Sequence, residues 1–412
     1  MQTREAFYRN ARQDLAGPLD GLRVLDVTTT LAGPRCSCVL GDYGAEVIKV
    51  ELRQPADVGR RLPPMLPESD PPDSHLHATA NRNKKNLCLD LRRPEGQEIL
   101  HRLVRDTDIL VENFKRGTMD SWNCGYEQLR AIRPSIVYVS ITGFGQYGPY
   151  ADRPGYDPVA QAMSGFMQLN GSVDDSMPLK APIFLADEIA GLHGALAAMA
   201  ALRHRDQTGE GQHVDVSLLD AMIDSSTGLL SLAAQGVHTP RLGNTYVFAA
   251  PANAYSCLDG WIYAVLVLDS HWKRLACLLG RPELASHPEY ATLHARLEKR
   301  QEIDRMLSDW CGSRTRDQVV AEFEKEGICA APILTPAETV RDPHVLAREA
   351  FQSVSNGSGG VCRLSAPSAK LSRTPIRIRN VAPRVGQHSR EILSQAGYSP
   401  EQIEALENAG VI

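Results

Sequence analysis

The stretch GLRVLDVTTTLAGPRCSCVLGDYGAEVIKVEL, residues 21–52, decides the fold. GLRVLDV (21–27) is a compact apolar run of strand length, TTTLAGPR (28–35) reads as a turn, and CSCVLGDYG (36–44) reads as a short helix stopped by Gly44. AEVIKVEL (45–52) is a second strand. A strand, a helix and a strand so spaced form a βαβ unit, with parallel strands and a right-handed crossover. The loop carries no G-x-G-x-x-G, so the usual dinucleotide fingerprint is absent.

The alternation continues outward. LCLDL (87–91) is strand-like, and RPEGQEILHRLVRD (93–106) sets Ile99, Leu100, Leu103 and Val104 at helical spacing. DILVENF (108–114) reads as strand, GYEQLRAI (125–132) as helix and SIVYVSITGFG (135–145) as strand. This pattern predicts an α/β fold with a doubly wound, mostly parallel sheet. Ligands of such sheets bind beyond the carboxyl ends of the strands, here at the loops TTTLAGP, ENFKRG and TGFGQYGP. A long Ala/Gly-rich helix follows from Asp187, then GQHVDVSLLDAMIDSSTGLLSLAAQG (211–236) as a strand and a helix. TYVFAAPANAYSCLDGWIYAVLV (245–267) changes character and predicts antiparallel strands. The expected organisation is a large α/β domain over 1–225, a smaller α+β domain over 235–335, and a segment 336–412 that returns to the large domain. The Pro-rich PPMLPESDPPDSH (63–75) reads as a surface excursion.

A chain of 412 residues exceeds one simple core. Its 43% hydrophobic and 23% charged residues are an ordinary globular balance. The net charge of −5 argues against a nucleic-acid binder. The N-terminal stretch MQTREAFYRNARQDLAGPLDG has no apolar h-region, and no run of 18 apolar residues occurs, so neither a secretory signal nor a membrane span is expected and a cytoplasmic location is. The nine cysteines are scattered, and Cys36-Ser37-Cys38 lacks the two-residue gap of zinc and redox motifs. With no G-x-S-x-G elbow and no H-E-x-x-H, neither a serine hydrolase nor a metal site is expected.

Several residues carry candidate chemistry. NRNKKN (81–86) with Arg92 and Arg93 gathers five positive charges in thirteen residues, and Lys49, Arg53, Arg60 and Arg61 follow another strand end. Together they read either as a shared anion pocket or as solvated loop surface. Asn113 and Phe114 end a strand at the ligand edge, while Gly143, Gly145 and Gly148 permit close backbone approach or simply turn the chain. Asp187 and Glu188 open the long helix, where carboxylates cap free N–H groups and the dipole favours their ionised form. Gly191, Gly194 and Ala198 behind them share a face on which another chain or a ligand arm could pack closely.

The run LDVTTTLAGPRCSCVLGDYGAEVIKVE (25–51) resembles the opening of the class III CoA-transferase family, to which formyl-CoA transferase and carnitine CoA-transferase belong. So do NRNKKNLCLDLRRPEGQEILHRL (81–103), DILVENFKRG (108–117), ITGFGQYGPYADRPGYDPVAQAMSG (141–165) and ADEIAGLHGALAAMAALRHRDQTGEGQHVDVSLLDA (186–221). LTPAETVRDPHVLARE (334–349) and APRVGQHSREIL (382–393) extend the likeness almost to the end.

The resemblance implies coenzyme A, as acyl-CoA substrate, and Asp187 as the nucleophile that forms an anhydride and then an aspartyl-CoA thioester. It implies assisting roles for Tyr156 and Asp157. It also implies CoA contacts at Thr30, Leu31, Ala32, Arg53, Lys84, Lys85, Asn113, Phe114 and Arg116. Leu52 stands where formyl-CoA transferase has an arginine, and Ser121 where it has a second; its glycine loop is replaced by RLGNTYVFAAP (241–251). The related 2-methylacyl-CoA racemases use a histidine where Tyr156 stands, which favours a transferase over a racemase. A non-catalytic CoA-binding subunit would have no need of Asp187. The resemblance further implies an interlocked dimer, homomeric or in a related hetero-oligomer. Succinyl-CoA is the expected donor, with a dicarboxylate, hydroxy acid or aryl-substituted succinate as acceptor.

Overall fold

The computed structural model describes residues 3–66, 73–174, 177–355 and 360–412, so the middle of the expected excursion at 63–75 lies outside the described residues. Six parallel strands form the main sheet: β1 (Arg23–Val27), β2 (Glu46–Glu51), β3 (Lys84–Cys88), β4 (Ile109–Glu112), β5 (Val137–Thr142) and β6 (Gln212–Ser217). Their spatial order is β3-β2-β1-β4-β5-β6. The order reverses between β1 and β4, the switch point at which such sheets leave a crevice.

Central strands buried on both faces read as near-continuous apolar runs, here Val24, Leu25 and Val27 and Ile109 to Val111, with Asp26 and Glu112 as buried exceptions. Successive side chains alternate between two cores. Leu25, Val27, Leu110 and Tyr138 face a layer that includes Pro94–Val104 and the C-terminal helices Ser389–Gln395 and Pro400–Asn408. Val24, Val47, Val111 and Val139 face Ala32–Asp42, Leu185–Thr208 and Leu218–Asp224. The mixed α/β class with a large parallel sheet is as expected.

Three local expectations need correction. The first crossover helix begins at Ala32, not after residue 35, because Pro34 falls in its first turn, where a missing N–H costs nothing. Strand β3 is KKNLC (84–88), not LCLDL (87–91), so half of the basic run is sheet. The segment after β6 is two helices, Leu218–Asp224 and Leu229–Ala234, separated by Thr227 and Gly228 at positive φ.

Compactness divides the chain into a unit of Met1–Phe166, Lys180–Val237 and Ala347–Ile412, and a unit of Met167–Leu179 and His238–Leu346. The second has an antiparallel sheet in the order β7 (Ala252–Cys257), β8 (Gly260–Val265), β9 (Cys329–Pro332), packed by Trp272, Leu275, Ile303, Leu307 and Phe323. In the first unit, β10 (Phe351–Ser355) and β11 (Val361–Ser365) form a separate antiparallel pair. Leu185–Thr208 is long and apolar enough to cross a membrane by length and composition alone, a test that buried core helices also pass. Its Ala/Gly face is packed into the core beneath the sheet, as a core helix of that composition must be.

Candidate active site

The crevice at the switch point is built from the loop after β1. Thr30 sits there in left-handed backbone at φ 66°, a conformation that needs outside support in a β-branched residue. Three side chains supply it. Lys49 Nζ donates to the Thr28 carbonyl at 2.8 Å. Asn113, just past β4, accepts from Thr29 N–H and donates to Thr29 O, both at 2.8 Å. Asp57 Oδ1 accepts from the N–H groups of Thr30 and Gly59 at 2.9 Å.

The long helix meets this loop from below. A Cβ at Gly191 would lie 2.8 Å from Arg35 Cβ and 2.9 Å from Ala32 O, so only glycine lets the two helices approach. The small-residue face is thus filled by the chain's own helix Ala32–Asp42, not left for a ligand arm or another chain. Asp187 is one turn before Gly191 on that face. Glu188 is held by Arg35 Nε at 2.8 Å.

The helix start has no cap of its own, since Phe184 makes no side-chain cap bond. Asp157 replaces it from outside: buried, it accepts from Ala186 N–H at 2.8 Å through Oδ1 and from Gln161 Nε2 at 2.7 Å through Oδ2. Gln161 is wholly buried and also accepts from Ala181 N–H at 2.8 Å. Asp157 reaches this position because the preceding loop is pinched shut, a Cβ on Gly143 falling 2.6 Å from Gly155 Cα. Phe144 and Tyr150 pack edge to face within the loop, and Tyr147 at its tip is 83% exposed.

Asp187 is half-buried, and among the described residues its carboxylate accepts no hydrogen bond and pairs with no cation. Burial first, then the charges of Asp157 and Glu188, push the carboxyl up to about 7. The expectation that the helix dipole keeps Asp187 fully ionised is therefore corrected: the nearest N–H groups serve Asp157, and two acidic neighbours outweigh the dipole. Burial raises Asp157 as well, against the bonds from Ala186 and Gln161. Tyr156, next to it, is 68% exposed.

The expected CoA contacts do not all reach the crevice. Lys84 is wholly buried, its ammonium bonded to Asp26 Oδ2 at 2.7 Å, Asn81 Oδ1 at 2.8 Å and Pro34 O at 2.9 Å, so its three donors are spent. Lys85 bridges Glu46 and Glu391 at 2.9 and 2.8 Å, at the amino end of β2, away from the ligand edge. Leu31 and Ala32 have buried side chains, while Thr30 is half-exposed. The Asn113 amide is committed to Thr29. Phe114 is half-buried, edge to face with Trp122 at 5.1 Å between centroids. Arg116 is exposed and bonded to Asp152 at 2.8 and 3.1 Å. Arg53 is exposed beside a separate cavity of about 650 Å³ lined with Cys88, Asp90 and Arg92.

Lys49 and Arg60 are likewise internal, held by Asp57 and Glu51. Of the basic residues, Lys49, Arg82 and Lys84 are thus buried and paired, while Arg53, Arg61 and Arg92 stay exposed. Asp57, Gln161 and Arg35 escaped notice in the sequence; only Gln161, one helical turn from Asp157, left a signal in the spacing.

Comparison with known proteins places this arrangement. The "Succinyl-CoA--L-malate CoA-transferase beta subunit" of Chloroflexus aurantiacus is 35% identical over 402 residues, covering 96% of this chain and 98% of that protein. The "Succinate--glutarate CoA-transferase" of Agrobacterium fabrum is 35% identical over 385 residues, covering 92% and 95%. A solved CaiB/BaiF family protein from Brucella suis superposes with a TM-score of 0.82 at 34% identity, covering 92% of this chain and all of that one. The sequence pattern described as "CoA-transferase family III" matches residues 19–389, and the chain belongs to that family.

Proposed function

We propose that this CoA-transferase moves CoA from succinyl-CoA to a dicarboxylic acid, with Asp187 as the nucleophile. The observation that carries the assignment is the Asp187 carboxylate, half-buried at the start of the long helix and, among the described residues, bound by no hydrogen bond and no cation. A carboxylate bound by no cation keeps its electron pairs for attack. An Asp187 oxygen attacks the thioester carbonyl, the C–S bond breaks, and CoA leaves as thiolate. The thiolate then attacks Cγ of the anhydride and expels succinate, which leaves aspartyl-CoA. The acceptor carboxylate attacks Cγ of the thioester, the C–S bond breaks, and a second anhydride forms as CoA thiolate leaves. The thiolate then attacks the acceptor's acyl carbon, whose bond to the Asp187 oxygen breaks and frees the carboxylate. No net proton is consumed.

Dicarboxylates as acceptors, and succinyl-CoA as donor, are supported by relatives named for malate, citramalate, glutarate and mesaconate. Thr30 and Phe114, half-exposed on the crevice, are the side chains offered to the nucleotide or pantetheine. Exposed Leu192 and Leu196 lie one turn apart on the helix that carries Asp187 and fit a chain–chain interface, in a homodimer or a related hetero-oligomer.

The test is incubation with succinyl-CoA, trapping by hydroxylamine or borohydride, and mass spectrometry. An adduct on Asp187, lost in folded Asp187→Ala, is expected. Absence of any adduct across a panel of acyl-CoA donors refutes the assignment.

A further inference from the structure

A dicarboxylic acid brings two charges to the site, and Asp187 reacts with one. The other needs a cation or it is desolvated at a cost. Basic side chains on the helix and loops that build the site are mostly committed. Arg35 is paired with Glu188, Arg116 with Asp152, and Arg153 lies over the Tyr150 ring at 3.7 Å.

Lys180 differs. It is exposed, and among the described residues its hydrogen bond runs from Nζ to the neighbouring carbonyl of Ala181 at 3.0 Å, so two of its three donors have no partner there. It is close enough to Asp157 for its charge to favour that carboxylate. Its place is built, not incidental. The Asp157–Gln161 pair grips Ala186 N–H with one member and Ala181 N–H with the other. Both ends of the segment 181–186 are thereby tied to one buried polar pair, and Lys180 and Asp187 are the residues just outside the two ties.

We propose that Lys180 is a specificity-determining residue that binds the distal carboxylate of the dicarboxylic substrate while Asp187 engages the proximal one. This rests on the reading of the protein as a dicarboxylate CoA-transferase acting through Asp187. Donor acyl group and acceptor acid occupy the same place in turn, so Lys180 serves succinyl-CoA and the acceptor alike. An ammonium on a flexible stem suits this, because it follows diacids of different length as a rigid fork would not. The carboxylate displaces only the weak local bond to Ala181 O.

The experiment compares wild type, Lys180→Met and Lys180→Arg. Donors are succinyl-CoA and butyryl-CoA; acceptors are glutarate and valerate. Lys180→Met is expected to raise KM for glutarate and for succinyl-CoA about 10- to 100-fold, with kcat within about threefold. The butyryl-CoA to valerate reaction stays unchanged, and Lys180→Arg recovers part of the loss. An unchanged KM for glutarate, or an equal rise for glutarate and valerate, overturns the inference. Trapping of the Asp187 adduct from butyryl-CoA in each variant separates the two levels. Adduct with unaltered diacid preference refutes the role of Lys180 alone. No adduct in wild type from any donor refutes the underlying reading and this inference with it.

Discussion

Asp157 Oδ1 accepts the backbone N–H of Ala186 at 2.8 Å, so a carboxylate thirty residues before Asp187 caps the helix that carries it. The same group is also the first charge that opposes ionisation of Asp187. Asp157→Asn keeps an oxygen for the cap and removes the charge. The acid limb of kcat/KM, which follows ionisation of Asp187 near 7, is expected to move to lower pH in this variant. Asp157→Ala also loses the cap, worth about 0.5–2 kcal/mol in a denaturant melt.

Charge at position 187 weakens the fold. The folded carboxyl keeps its proton up to about 7, whereas the unfolded chain releases it near 3.8. The folded state therefore binds more protons between these values, and stability falls as pH rises through that window. The penalty is absent below the unfolded value and complete above the folded one. Asp187→Asn is expected to match the parent near pH 3.5 and to exceed it by about 1–2 kcal/mol at pH 8, a figure discounted for partial solvent exposure. Denaturant midpoints at the two pH values check this.

Lys84→Ala separates structure from binding. Burial pulls the Asp26 carboxyl up, but Lys84 and Lys49 more than offset it and hold it down at about 2. Removal of Lys84 strands a buried carboxylate and is expected to cost about 3–5 kcal/mol of unfolding free energy. A phosphate contact would instead raise KM for acyl-CoA and leave the unfolding midpoint in place.

Asn113→Ala leaves the N–H and carbonyl of Thr29 without their partner and releases the left-handed Thr30. KM for acyl-CoA is expected to rise about tenfold, with a smaller change in kcat. Asn113→Asp sets a carboxylate oxygen against the Thr29 carbonyl and is expected to do no better. CoA titration calorimetry and steady-state kinetics distinguish these outcomes.

The parallel sheet was legible because its cause is local. Val24, Leu25 and Val27, interrupted only by the buried Asp26, and Ile109 to Val111 are apolar stretches bounded by turns, and burial on both faces leaves that mark. The family was legible from motifs such as LDVTTTLAGPR and ADEIAGLHG, and it is the family that singles out Asp187 as a candidate. The basic residues were misread for a physical reason. Lys84 is neutralised by Asp26, 58 positions away, and no window of sequence contains both. Asp57 supports Thr30 across 27 positions from within an irregular loop, where no periodicity flags it. Ligand contacts also demand knowing which donors remain unspent, and that follows only from the folded partners of Lys85, Asn113 and Arg116.

Gln161 holds position 181 by its backbone N–H, a group that every residue except proline carries in the same form. The side chain next door, at 180, is therefore free to be exchanged without loss of the tie that holds position 181. Descendants of such a chain can drift from one acid to another by single replacements at the rim, while the reaction itself is inherited intact.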